Sequence, residues 1–272
     1  MGLASTTERP ATRIESALQS ERLTVAVPLL TVIIACWTWI AVIARDMYGP
    51  MTGASRWMMT TSWDAAHLFL LWGMWAVMMT AMMLPSALPM IGLYAATQRG
   101  EAAPAPRGVP VAVFTLVYLA VWAASGVPVY LAHTGLMALS PRAFAYGVAA
   151  ILLAAGVFQL SPLKQACLRA CRSPLGFLLG HWRAGLRGSL ALGWAHALFC
   201  LGCCWALMVV LVAAGAMGLV WVLLITAVVA AEKLLPGGEW IARATGGAFL
   251  LLGVAVVLRP DLVTALRGGH AM

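Results

Sequence analysis

Runs of about twenty apolar residues recur along the chain, and no other feature limits its fold so tightly, because a helix of that length crosses a hydrocarbon core roughly 30 Å thick. They fall at Val25–Ala44, Leu68–Tyr94, Val109–Leu131, Ala143–Leu160, Ser189–Gly215, Met217–Leu235 and Ile241–Leu258. Hydrophobic residues make up 62% of the chain and charged residues 10%, against about 25% charged in soluble domains. The alternating pattern of a membrane β-barrel is absent. The expected fold class is all-α, a polytopic transmembrane helix bundle of about seven spans. Pro85 and Pro89 in the second stretch should kink it, or end it near Leu84 with a short re-entrant piece beyond; it is counted as one span. The polar leader Met1–Thr24 has no short apolar core followed by a small-residue cleavage site, so the first span reads as an uncleaved anchor. A single transmembrane domain over residues 25–258 is expected between this leader and a tail over 259–272.

Orientation follows from the cations. With seven spans, one side collects Arg9, Arg13, Arg22, Arg99, Arg107, Lys164, Arg169, Arg172, Arg183, Arg187, Lys233 and Arg243, twelve of the seventeen Lys and Arg in the chain. The other side holds Arg45, Arg56, Arg142, Arg259 and Arg267. The positive-inside rule then puts the leader and the loop over 161–188 in the cytoplasm and the carboxyl terminus outside. The net charge of +8 is explained by this topology and by attraction of cytoplasmic loops to anionic lipid, so the bilayer is the expected partner and nucleic acid is not. No phosphate-cradling loop, EF-hand or zincin spacing is present. Three segments carry chemistry instead.

The first packs Met74, Met78, Met79, Met82 and Met83 into ten positions. On a helix Met74, Met78 and Met82 form an i, i+4, i+8 ladder, with Met79 and Met83 on an adjacent face. His67 projects onto the ladder side if the helix reaches back that far. Thioethers are soft, neutral donors that suit Cu(I) and add no buried charge. Methionine is also a flexible gap-filler, so core packing is the competing reading.

The second segment is His196-Ala-Leu-Phe-Cys200-Leu-Gly-Cys203-Cys204-Trp-Ala-Leu-Met208. His196, Cys200, Cys204 and Met208 follow at i+4 steps and Cys203 lies one turn from Cys200, so five donors share a broad helical face. One buried Cys would be an ordinary small hydrophobe, and a lone His a packing partner. Three thiols, an imidazole and a thioether on one stripe have metal-ligand spacing. A single helix cannot encircle an ion, so further donors should come from a neighbour, with the methionine ladder the first candidate.

The third is Ser161-Pro-Leu-Lys164-Gln-Ala-Cys167-Leu-Arg-Ala-Cys171-Arg172-Ser-Pro174. Cys167 and Cys171 pair at i, i+4 if the segment is helical, and Lys164, Arg169 and Arg172 are expected to lower their pKa. A reducing cytoplasm implies free thiols. The competing reading is an interfacial amphipathic helix on lipid headgroups. Elsewhere, Cys36 reads as packing, and Glu232-Lys233 as an ion pair or snorkelling group near the interface, with a buried Glu that shuttles a proton as the alternative.

Together these blocks, Trp72-Gly-Met-Trp-Ala-Val-Met-Met-Thr-Ala-Met-Met-Leu-Pro85, Ser161-Pro-Leu-Lys to Cys171-Arg-Ser-Pro174, and His196 to Met208, resemble a bacterial family of predicted metal-binding integral membrane proteins. Met217, Trp221 and Glu232-Lys233 fit as well, while Gly218 stands where the family pattern often has a polar residue. The resemblance covers about Trp72 to Pro236 and implies metal binding in a bacterial inner membrane, without a substrate or a direction. The donor chemistry favours Cu(I), with zinc second. The expected function is a copper-binding membrane protein that transports, holds or delivers the ion, with a metallochaperone or another membrane protein as a possible partner. Two alternatives stay open. One is an enzyme, a thiol/quinone redox protein using Cys203-Cys204; the other is a non-catalytic subunit of a larger membrane complex.

Overall fold

The computed structural model describes residues 10–49, 64–98, 108–215 and 218–263. Arg9, Arg56, Arg99, Arg107, Met217 and Arg267, which entered the expectations above, lie outside the described residues. Within them the chain is helical throughout. The elements are α1 (Pro10–Met47), α2 (Ala65–Thr97), α3 (Gly108–Ala124), α4 (Gly126–Met137), α5 (Pro141–Leu160), α6 (Pro162–Arg172), α7 (Pro174–His181), α8 (Gly185–Gly215), α9 (Leu219–Leu234) and α10 (Gly238–Leu258).

Six stretches among the described residues are long and apolar enough to cross a membrane: Thr24–Met47 in α1, α2, the α3–α4 pair over Gly108–Leu136, α5, α8 and α10. The expected sixth span forms α9, but with 16 residues it is only about 24 Å long at 1.5 Å per residue. Its far end stops beside the middle of α8, as the contacts of Lys233 below establish.

Helix α2 begins where Asp64 accepts a hydrogen bond from the backbone N–H of His67 at 2.8 Å, an N-cap of the usual kind. It then runs unbroken through Pro85 and Pro89, so the re-entrant break considered near Leu84 does not occur. Proline at 85 has no N–H for the carbonyl of Ala81. The indole of Trp37 in α1 donates to that carbonyl instead, at 3.1 Å. A neighbouring helix thus satisfies the freed backbone group, which is how proline is accommodated where water is scarce.

The segment expected as a loop over 161–188 is largely helical. Each Ser-Pro dipeptide starts a helix, with Pro162 and Pro174 in the first turns of α6 and α7, where a missing N–H costs nothing. Ser161 accepts from the backbone N–H of Lys164 at 3.2 Å. Helix α6 buries Lys164, Gln165 and Leu168 against the bundle and packs on α8. Gly202 makes that approach possible: a Cβ there would sit 3.0 Å from Cys167 Sγ.

Helices α5 and α10 pack along an extended seam. A Cβ added at Gly246 would lie 2.9 Å from Gln159 Cβ and 3.1 Å from the Gly156 carbonyl, and one at Gly253 would lie 2.8 Å from Leu153. These glycines therefore serve packing within the chain, by the small-residue logic of membrane helices. Gly247, on another face, meets nothing within 4 Å. The matched substitutions separate the two roles. Gly246→Ala should destabilise by about 1–3 kcal/mol, read as a lowered unfolding midpoint in detergent, whereas Gly247→Ala should match or exceed wild type. Equal midpoints would show that the contact does not matter.

Candidate metal centre

Two buried charges on α6 and α9 determine how the thiol-bearing turn of α8 is held. Lys164 of α6 and Glu232 of α9 form an ion pair at 2.6 Å with side chains 0% and 1% exposed. The second carboxylate oxygen of Glu232 accepts from Gln159 Nε2 at 2.8 Å. Lys164 Nζ also donates to the carbonyl of Cys203, and Arg172 donates to the backbone carbonyl of Glu232. Buried charges persist only when paired and hydrogen-bonded, and here the pairing ties α5, α6, α8 and α9 together.

Around this clamp the thiols gather. Cys171 Sγ of α6 lies 3.8 Å from Cys203 Sγ of α8, and Cys203 Sγ lies 3.3 Å from Cys204 Sγ. Cys203 also donates to the carbonyl of Cys200 at 3.1 Å. Cys200, Cys203 and Cys204 are buried and all the cysteines are free. Two sulfurs bound to one ion at about 2.3 Å each can be no more than about 4.6 Å apart, so the Cys171–Cys203 separation falls within reach of a shared ion. Among the described residues, however, no three His, Cys, Asp or Glu side chains stand ready as a metal-holding group.

Lys233 of α9 enters the same cluster. Its ammonium donates to Cys200 Sγ at 3.0 Å, to Ser86 Oγ at 3.3 Å and to Met83 Sδ at 4.0 Å. The phenol of Tyr118 in α3 lies 3.0 Å from Cys200 Sγ and donates to the Met83 carbonyl at 3.3 Å. Met83 is thus the methionine brought to the thiols, and Lys233 and Tyr118 bridge the two. Neither bridging residue was singled out as a site residue. The signal for Lys233 was the charged pair closing an apolar run, but the expectation of an interfacial pair or a snorkelling group is corrected: Glu232 bonds Lys164, and both neighbours point inward.

The other candidate residues are distributed as follows. His196, one turn before Cys200, is buried between Tyr118 and Phe177, with ring centroids at 5.5 and 5.4 Å, and its Nδ1 has no hydrogen-bond partner. Met208 is buried but stands eight residues beyond Cys200, about 12 Å along the helix. Met79 and Met82 are buried in the core, while Met74 and Met78 line a separate cleft between α1, α2 and α9. His67 is buried at the start of α2, sixteen residues or about 24 Å from Met83, too distant to join it. Cys167 is half-buried, one turn from Cys171. Its thiol is pushed up by burial, with Lys164 pulling the other way, contrary to the lowering expected. The cations are engaged elsewhere: Lys164 with Glu232, Arg172 with a carbonyl, and Arg169 with Glu239 at 3.8 Å.

Fold and site define an all-α bundle with helices of membrane-crossing length and a cluster of four thiols, three of them buried, flanked by an ammonium. A family model described as PpoB2, copper chaperone, matches residues 72–256, and the chain belongs to that family. No curated protein and no solved structure matches it.

Breaking the charge clamp tests its structural role. Glu232→Leu should cost about 3–5 kcal/mol by stranding the Lys164 ammonium, while the double change Lys164→Met with Glu232→Leu should recover most of that loss in thermal unfolding. A double variant no more stable than the single one would refute the pairing.

Proposed function

We propose that the chain binds Cu(I) as cargo at the thiol cluster of Cys171, Cys200, Cys203 and Cys204, within a bacterial inner membrane, and holds or delivers it. The observation that carries this reading is the meeting of α6 and α8 thiols, Cys171 and Cys203, at 3.8 Å between sulfurs, with Cys204 Sγ a further 3.3 Å from Cys203 Sγ and a buried ammonium 3.0 Å from Cys200 Sγ. Thiolates are the soft donors that Cu(I) prefers. The family's description supplies the metal; zinc, which also accepts thiolate, is the second choice. His196, with an unpartnered buried nitrogen one turn away, and Met83, reached through Lys233, are further donors. Because Cys203 presently donates to a carbonyl, binding requires its side chain to turn and its proton to leave.

Charge balance gives Lys233 its role. Two thiolates around one Cu(I) leave one net negative charge, costly in an apolar bundle, and the Lys233 ammonium cancels it on the spot. Half-buried Cys167, a turn from Cys171, is the proposed point of arrival at the cytoplasmic face, where a metallochaperone could hand over the ion by thiolate exchange. The orientation, with the leader inside and the carboxyl terminus outside, counts α9 as a seventh, short span and rests on the cationic loops; Lys164 and Lys233 are interior and drop out of that count. The rival thiol/quinone redox reading draws on the same sulfur pairs, and a redox titration lacking a two-electron thiol couple in the physiological range removes it.

Two measurements test the copper reading. After loading under reducing conditions, mass spectrometry should find about one equivalent of copper less in a Cys200/Cys203/Cys204→Ser variant than in the wild type; equal metal in both would end the proposal. Lys233→Met should weaken Cu(I) binding about tenfold or more, ~1.4 kcal/mol, in competition with a chromophoric chelator, and Lys233→Arg should restore most of it. Unchanged affinity in Lys233→Met would reject the counter-charge role.

A further inference from the structure

The methionines of α2 do not all turn toward the thiols. Met74 and Met78, one helical turn apart, line a cleft with Met47 and Trp39 of α1 and with Leu219 and Val222 of α9. This cleft lies where α1 ends and where α2 and α9 begin. Met74 and Met78 precede Met83 by nine and five residues, about 14 and 8 Å along the helix axis. From Leu219 to Lys233, α9 covers about 21 Å. The cleft and the thiol cluster therefore occupy different levels of the bundle.

Three thioethers thus reach one cleft from two helices, and Met47 belonged to none of the sequence motifs. Met78 is buried, while Met47 and Met74 are half-buried. Each side chain has three rotatable bonds and can turn its sulfur without moving backbone. Among the described residues, no charged side chain lines the cleft. Neutral sulfur donors without counter-charge suit a soft cation of low charge, whereas a divalent or hard ion would lose hydration for little return. Met82, the next i+4 step on α2 and 1% exposed, extends the thioethers inward.

We propose that Met47, Met74 and Met78 form a second binding site, thioether only, for a soft monovalent cation. The identification of that cation as Cu(I) rests on the reading above; the site itself rests on the cleft and stands without the thiols. Mere filling of a gap by flexible side chains is the opposing outcome.

Ag(I), a soft monovalent probe that does not change redox state, separates these cases in equilibrium titrations of the full-length protein in detergent. The Cys200/Cys203/Cys204→Ser variant should keep one equivalent of Ag(I). A Met47→Leu/Met74→Leu/Met78→Leu variant, nearly volume-conserving, should lose that equivalent and keep the thiol-bound one. Methionine variants that bind as much Ag(I) as wild type overturn the proposal. If the triple variant does not fold, peroxide footprinting of the wild type decides, since Ag(I) should shield Met47 and Met74 from sulfoxide formation; equal oxidation with and without Ag(I) overturns the site. A serine variant that binds as much Ag(I) as wild type counts against the thiol cluster while still supporting the thioether site.

Discussion

A carboxylate and an ammonium removed from solvent among apolar helices cannot be parted without leaving a bare charge in a medium that solvates it poorly. Glu232 and Lys164 are in that position, at 2.6 Å, and much of the architecture follows from keeping them together. Helix α6 has to lie inside the bundle, because Lys164 is on it. The end of α9 has to stop level with the middle of α8, because Glu232 is there and the same ammonium also holds the Cys203 carbonyl. Gln159 at the end of α5 completes the carboxylate's hydrogen bonds. A surface loop would satisfy its charges with water; this segment satisfies them with partners far away in sequence, and in doing so carries Cys171 to Cys203.

The same rule, that polar groups away from water need protein partners, explains the other departures from regular helix packing. The carbonyl freed by Pro85 is taken by the Trp37 indole, so α2 stays continuous and Met83 keeps its register opposite Lys233. Where helices approach most closely, glycine removes the side chain that would prevent it: Gly246 against α5, and Gly202 beneath Cys167. Continuity of α2 and closeness of α6 are thus local consequences of single residues, and the position of the thiol cluster depends on both.

These dependencies also mark what the amino-acid sequence could disclose. Apolar length and i+4 spacing are local properties, so the helical class and the common stripe of His196, Cys200 and Cys204 were legible from the chain itself. The relation between helices was not. Periodicity places Met74, Met78 and Met82 on one face, but whether that face meets α8 depends on which helices stand between, and α2 reaches Cys200 through Lys233 and Tyr118, with Met83 as its sulfur. The segment 161–188 looks like a cationic loop because its partners, Glu232 above all, lie some 60–70 residues away. The inward turn of Lys233 was hidden for the same reason: a charged residue at the end of an apolar run reads as an interfacial anchor until a tertiary neighbour is known.

Placement of charge relative to sulfur type links the two proposed sites. Thiols bind a soft ion as thiolates and bring negative charge with them, and the buried cation without a carboxylate partner, Lys233, contacts Cys200. Thioethers bring none, and among the described residues no charged side chain lines the cleft of Met47, Met74 and Met78. The Lys233 ammonium meets a thiol at 3.0 Å and a thioether, Met83, at 4.0 Å, and these contacts, together with Ser86 Oγ at 3.3 Å, offset its desolvation. Two thiolates around one Cu(I) would leave a net negative charge that the ammonium at Cys200 offsets, whereas a soft cation in the thioether cleft would keep its own positive charge.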